Sequence, residues 1–520
     1  MSWQPEIDDI ARRRAFAEGL GGPAMVARQH DAGRLTIRER VASVVDPGSF
    51  HEVGRLTGSA TYVDGQLQSV VPAPYVMGLG KIDGRDVAIG GEDFTVRGGT
   101  SWGSDRRKGG QGGFVEDLAF NYRIPLVNLI DGSGGSVTSA ARRGYAVLPG
   151  VHGFERSVAL LGQVPVVSAV LGTAAGGPAG RAILSHFSIM VKHTSQVFAA
   201  GPPVVRRSLG QEITKEELGG SGVAVDKAGT IDNVADTEAG AFVLIRRFLS
   251  YMPQNVWELP PAIRCDDPPD RAEEELLTIV PKNRRQPYNM RRVVSLIADG
   301  ASLLEIQPSF GRAVITSLGR MNGRPVGFIA NNPTINGGAM DCAAARKQLH
   351  FIDLCDSFHI PIIFLVDVPG FMVGLQAEQA ATLREGMRCV HAALQATVPI
   401  LTVIIRKCYG MAGMATCDKN GLDLKIAWPS AEWGSLPIEG GVAAAYRRDI
   451  AASPDPAARE RELEDELRAH ASPFRTAEAF AIEDMIDPRE TRAYLCRFLD
   501  AAQGRLATSL GPKARTGVRP

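Results

Sequence analysis

The chain has 520 residues, with 57 basic and 57 acidic side chains and a 44% hydrophobic share, enough at about 100–200 residues per domain for two to four domains with real cores. A formal net charge of zero lacks the basic excess of a nucleic-acid footprint, and apolar runs such as Val164–Leu171 fall far short of the ~20 residues that span a bilayer. Met1-Ser-Trp-Gln-Pro-Glu6 shows no basic-then-apolar leader, so the expectation is a soluble cytoplasmic protein with no nucleic-acid and no membrane partner.

In chain order, Asp83-Gly84 between apolar runs predicts a β-hairpin. Residues 103–123 read as a helix feeding the next strand. The run LVNLI at 126–130 is continuously apolar, which means a strand covered on both faces and hence α/β layering. It ends in the turn Asp131-Gly-Ser-Gly-Gly135. A second such strand, Val164–Leu171, ends in Gly172-Thr-Ala-Ala-Gly-Gly177. Pro260–Asp270 then brings four prolines and several charges and reads as a linker. Beyond it the pattern returns: Asn322-Gly323 predicts a hairpin, 342–358 a helix, and IIFLV at 362–366 a strand ending in Asp367-Val-Pro-Gly370. Val398–Ile405 is the last strand of the series, and Cys408-Tyr-Gly-Met-Ala-Gly413 is its turn. Pro454–His470 predicts a charged helix with a solvated face and no function of its own.

This return is a repeat. Segment 81–99 aligns without gaps on 320–338, 239 residues later; Ile124–Asp131 matches Ile360–Asp367 at 236, and Val164–Leu171 matches Val398–Ile405 at 234. One pair could reflect shared strand-plus-glycine patterning. Three in the same order, with slowly drifting offset, indicate two copies of one fold, assigned here to 1–265 and 266–520.

A strand, a glycine turn and a helix bring unpaired backbone N–H groups to one point, where the helix dipole adds positive potential. Such a point suits a phosphate, or an oxyanion forming at a thioester or ureido carbonyl. Neither glycine turn fits the dinucleotide fingerprint, and no P-loop or Gly-x-Ser-x-Gly elbow is present, which leaves Ser133 a weak nucleophile candidate. Tight packing alone explains a single Gly-Gly turn; two at repeat-related positions argue for more. The nine histidines show no metal-ligand spacing, and most of the seven cysteines, an odd number without a Cys-x-x-Cys pair, are expected to be small core residues. Asp131 and Asp367 end equivalent strands, where capping of the following turn is the expected role. A site made mostly of backbone donors is the better reading.

At this point the sequence resembles the carboxyltransferase (β) subunits of biotin-dependent acyl-CoA carboxylases, the propionyl-, acetyl- and methylcrotonyl-CoA enzymes. The likeness runs from Ala27–Arg40 to the C-terminal region through Glu92-Asp-Phe-Thr-Val-Arg-Gly-Gly99, Gly201-Pro-Pro-Val-Val205, Glu216-Glu-Leu-Gly-Gly220, Tyr288-Asn-Met290, Phe364–Phe371, Arg406-Lys-Cys-Tyr-Gly410 and Ala427–Glu432. It implies two tandem α/β domains of the crotonase-like (ClpP/crotonase) class related by internal duplication. The first, 1–265, would serve the acyl-CoA and the second, 266–520, the biotin. It implies a homo-oligomer, a hexamer, with the N-domain of one chain facing the C-domain of another. The implied reaction moves a carboxyl group from N1′ of carboxybiotin to the α-carbon of an acyl-CoA through an enolate on the thioester oxygen.

By the same resemblance, Gly176 and Gly177 would hold the thioester enolate, and Gly410, Met411 and Ala412 the biotin oxygen. Gly98, Gly99, Gly134, Gly135, Phe371, Tyr409 and Met414 would line the binding sites. Biotin would arrive on a separate carrier, with a biotin carboxylase and biotin carboxyl carrier subunit as partners, since no Ala-Met-Lys-Met site occurs and Met190-Val-Lys192 is the nearest. No metal is expected. The chain departs from the family in several places. Pro178 has no N–H to give, and Met411 stands where a glycine is usual, raising the cost of a positive φ. Met414 occupies an acyl-pocket position that is Asp in propionyl-type enzymes, which suggests a longer or branched acyl group. Ser136–Ala140 and Leu375–Glu378 lack the usual residues. A biotin-dependent decarboxylase or transcarboxylase subunit and a non-catalytic CoA-binding paralogue are the alternatives.

Overall fold

The computed structural model describes residues 2–100, 114–135, 144–145, 154–416 and 424–514. The chain forms two compact units, Met1–Glu258 and Leu259–Pro520. Residues 259–265 go with the second, in which Ile263 donates its N–H to the Gly323 carbonyl at 3.1 Å.

Each unit is built on one eight-stranded mixed sheet, and the two sheets correspond strand for strand. The first runs His51–Val53, Tyr75–Ile82, Arg85–Glu92, Leu126–Gly132, Val166–Ala175, Phe187–Val191, Asn233–Ala235, with Gln196–Phe198 also beside Val166–Ala175. The second runs Leu304–Ile306, Val314–Met321, Arg324–Asn331, Ile362–Val368, Ile400–Tyr409, Leu424–Ala427, Asp484–Met485, with Glu432–Gly434 also beside Ile400–Tyr409. The central strands are parallel and buried along nearly their whole length, as their unbroken apolar runs require.

Both predicted hairpins form in register. Ile82 pairs Arg85 and Met321 pairs Arg324, across two-residue turns in which Asp83 (φ 51), Gly84 (φ 78), Asn322 (φ 49) and Gly323 (φ 77) are all left-handed. That geometry is why Asp-Gly and Asn-Gly occur here. The duplication extends to a device not evident in the sequence. Asp46 accepts from the N–H groups of Asp83 (3.0 Å) and Gly84 (2.8 Å), and Asp299 from those of Asn322 (2.9 Å) and Gly323 (2.7 Å). Each carboxylate is met in turn by an arginine from the last helix of its unit: Arg246 of Glu238–Tyr251 at 3.4 Å and Arg492 of Thr491–Ala507 at 2.7 Å.

Helices cover the sheets. The predicted 342–358 helix is Cys342–Ser357; of 103–123 the described part, Phe114–Tyr122, is helical; and the charged 454–470 stretch is Pro456–His470. Cys355, Cys389 and Cys496 are buried as expected, whereas Cys265, Cys342 and Cys408 are half-buried; Cys417 lies outside the described residues. Ser136–Ala140 also lies outside them. Among the described residues no helix is long and apolar enough to cross a membrane.

Candidate active site

The two glycine turns follow equivalent strands, Val166–Ala175 and Ile400–Tyr409, and bend alike: Gly176 has φ 60 and Gly410 φ 57. A left-handed residue at that corner favours glycine, and the chain has one in both copies. Short helices start at once, Gly177–Ile183 and Gly410–Met414, so their first amides have no carbonyl one turn earlier in the helix to receive them. A Cβ built on Gly176 or Gly177 would meet nothing within 4 Å. The side-chain positions of both glycines are thus unobstructed among the described residues.

This geometry corrects one expectation. Met411 is not among the residues with positive φ; the left-handed corner falls on Gly410, so the methionine side chain costs no backbone strain. Pro178 lies at the start of its helix, where proline is tolerated but contributes no first-turn N–H, so the donors left at this turn are the amides of Gly176 and Gly177. Met411 and Met414 are 42% and 63% exposed, while Ala412 and Tyr409 are buried. Burial raises the Tyr409 phenol above its ordinary value.

In the first unit Gly134 packs against the Gly176 turn, and Gly98 and Gly99 against the end of the strand Leu126–Gly132 and its turn. A Cβ on Gly134 would lie 2.5 Å from the Ala175 carbonyl, and one on Gly99 2.6 Å from the Asp131 carbonyl. Gly98 (φ 65) accepts from the Ser133 N–H at 3.1 Å. Gly134 and Gly99 are therefore glycine because strand-end carbonyls pack against them, and Gly98 because its φ is left-handed, whereas a Cβ on Gly135 would meet nothing within 4 Å. In the second unit Gly337 and Gly338 repeat the left-handed pair, with φ 62 and 89. Phe371 forms a bridge with Met340, and its ring fills the space beside Gly386.

Asp131 and Asp367 are not turn caps. Asp131 accepts from Arg40 (3.0 Å), Gln29 (3.1 Å) and Arg34 (3.3 Å). Arg40 also holds Glu238 at 2.7 Å and the Leu171 carbonyl at 2.9 Å. Burial opposes the Arg40 charge, but Asp131 and Glu238 outweigh it and raise its pKa. Asp367 is paired differently, with Arg406 at 3.0 Å and Lys407 at 3.4 Å, and accepts from the Lys407 N–H at 3.2 Å. Arg406 lies 4.8 Å from the centre of the Tyr288 ring. Burial and Asp367 push the Tyr288 phenol well above its usual range, and burial lowers the pKa of Lys407. In the repeat alignment Gly172 corresponds to Arg406. A Cβ on Gly172 would collide with the Asp131 carboxylate. One copy leaves a gap at this position and imports a distant arginine; the other places the arginine there.

The comparisons with known proteins agree with this duplicated design. Residues 28–516 match the carboxyl transferase domain family. The chain is 36% identical to the carboxyltransferase subunit of propionyl-CoA carboxylase from Haloferax mediterranei, over 95% of each chain. It is 34% identical to the methylmalonyl-CoA carboxyltransferase 12S subunit of Propionibacterium freudenreichii subsp. shermanii, over 95% of this chain and 93% of that one. It is also 34% identical to the α subunit of methylmalonyl-CoA decarboxylase from Propionigenium modestum, over 96% of each. Among solved structures, the transcarboxylase 12S hexamer with methylmalonyl-coenzyme A and methylmalonic acid bound superposes with a TM-score of 0.88 at 32% identity, covering 100% of this chain and 98% of that one. The chain belongs to the carboxyl transferase family, as a biotin-dependent carboxyltransferase made of two tandem crotonase-like domains.

Proposed function

We propose that the chain is the carboxyltransferase subunit of an acyl-CoA carboxylase, moving the carboxyl group of carboxybiotin to the α-carbon of an acyl-CoA. The amides of Gly176 and Gly177 receive the thioester oxygen, and those of Gly410, Met411 and Ala412 the ureido oxygen of biotin. One observation carries this: two repeat-related turns with the same left-handed glycine, each followed by first-turn amides with no carbonyl of their own helix to receive them. The first-turn amides fit carbonyl ligands, and no charged side chain is required.

When its carrier docks, carboxybiotin would supply the activated carboxyl group as CO2 and, in the ureido anion left behind, the base that takes the α-proton. This chain's own residues orient the partners and stabilise the developing charge. As the α-proton leaves, negative charge grows on the thioester oxygen, and the Gly176–Gly177 amides meet it. Such preorganised donors are worth about 10²–10³ in rate each. The Gly134–Gly135 turn borders that corner, Gly98 and Gly99 support the adjoining strand end, Phe371 and Tyr409 are assigned to the second site, and Met414 to the acyl pocket. A separate biotin-bearing subunit is favoured because no Ala-Met-Lys-Met motif occurs in the sequence. A homohexamer accords with the 12S relative. No metal takes part in this assignment.

Labelled bicarbonate incorporation into a panel of acyl-CoAs, by the complex purified with its biotin subunit, tests the assignment. Met411→Pro removes one N–H at a helix position that tolerates proline and is expected to lower kcat about 10²–10³-fold. Met411→Gly keeps the amide and should retain activity. Equal activity in both variants would exclude the Met411 amide. A decarboxylase or transcarboxylase role has support from the methylmalonyl-CoA relatives, since the same two turns serve either direction. Transfer from methylmalonyl-CoA to the biotin subunit in the absence of ATP would favour it.

A further inference from the structure

Among the differences between the two copies beside their turns is a charged pair of positions. Glu92 ends the strand Arg85–Glu92, and its repeat counterpart, 239 residues on, is Asn331. Both accept one equivalent hydrogen bond, Glu92 from the Asp131 N–H at 3.3 Å and Asn331 from the Asp367 N–H at 3.1 Å. Glu92 has a second partner. Its other oxygen pairs with Arg181, on the helix Gly177–Ile183 that begins at the Gly176 turn. Five residues after Gly176 stands Arg181; five after Gly410 stands Ala415. The pair is charged in one copy and absent in the other, both partners changing together.

The pair is placed to fix that turn. Glu92 is 1% exposed and Arg181 13%, so each is a buried charge that depends on its partner. A Cβ on Gly132 would lie 2.8 Å from the Glu92 side chain and 3.1 Å from that of Pro178. The Glu92 side chain thus touches the Asp131–Gly135 turn through Gly132 and the Gly177–Ile183 helix through Arg181. The second copy secures its turn without such a link: Gln348 donates to the Ala415 carbonyl at 2.8 Å and Thr402 to the Thr416 carbonyl at 3.0 Å.

We infer that Glu92 and Arg181 are positioning residues for the Gly176–Gly177 amides, a device confined to the first unit that sets the register of that turn for transition-state charge. The inference rests on the proposed use of the turn. Because Asn331 shows that asparagine makes the common hydrogen bond, Glu92→Asn is the informative substitution, combined with Arg181→Ala to reproduce the second copy.

The experiment compares Glu92→Asn, Arg181→Ala and the double variant in the purified complex, reading thermal unfolding, acyl-CoA KM and kcat. Each single variant leaves a buried charge unpaired and should unfold at lower temperature. The double variant is expected to regain most of the lost Tm and an acyl-CoA KM within about threefold of wild type, yet keep a kcat roughly 10²-fold down, the scale of an ångström's misplacement. Recovery of kcat together with Tm would reduce the pair to a structural element and overturn the inference. If the double variant does not fold, Arg181→Lys decides: lower kcat at unchanged KM and Tm supports positioning, and unchanged kcat overturns it. Wild-type complex that carboxylates no acyl-CoA would instead sink the functional assignment, a separate outcome.

Discussion

Met414 lies 63% exposed on the Gly410–Met414 helix, four residues past the left-handed corner. Its long, adaptable thioether presents apolar surface where a carboxylate would impose charge. Met414→Asp is expected to shift acyl-chain preference toward shorter substrates in a kcat/KM panel, and an unchanged profile would remove Met414 from the pocket. The residue scale is also where the sequence was least informative. Asp131 reads as a turn residue until Arg40, 91 positions away, is seen against it. One trace of the true arrangement does lie in the sequence: Gly172 aligns with Arg406, and Glu92 with Asn331. Such non-identical positions inside an otherwise matching repeat mark where the copies have diverged in charge. They acquire meaning only once the fold shows what each side chain faces.

At the scale of elements, hairpins and central strands were legible because their causes are local. Asp-Gly and Asn-Gly fix a two-residue turn, and an unbroken apolar run fixes a doubly covered strand. Whether Met411 suffers strain was not legible, since the left-handed residue could fall on either side of the Tyr409–Met411 bend. The helix Cys342–Ser357 carries a further consequence of packing. Lys347 is 1% exposed, donates to the Phe310 carbonyl at 3.1 Å, and is lowered by burial to a pKa of about 7, with Glu305 raising it and Arg291 lowering it further. Unfolded, the same lysine titrates near its ordinary 10.5. Between those values the unfolded chain binds more protons, so the contribution of Lys347 to stability rises as pH increases from about 7 towards 10.5. Lys347→Met should flatten that rise in a Tm-versus-pH series. A slope unchanged by the substitution would mean that the lysine keeps an ordinary pKa in the folded state.

For the whole molecule, duplication is the organising fact. Two sheets of the same strand order, two Asp-capped hairpins tied to C-terminal helices by arginine, and two glycine corners with φ near 60° repeat one solution twice. The copies then differ in how the strand-end aspartate is neutralised and in whether a charged pair braces the turn. Sequence similarity alone makes the chain a carboxyltransferase; on the proposed assignment, the duplicated corners are where main-chain donors would carry the chemistry. The most direct test is an experimental structure of the assembled enzyme with acyl-CoA and biotin bound. The thioester oxygen is expected about 2.7–3.1 Å from an amide of Gly176 or Gly177, and the biotin ureido oxygen at similar distance from Met411 or Ala412. A thioester oxygen held by a side chain instead, or seated at the Gly410 turn, would refute this division of roles between the two corners.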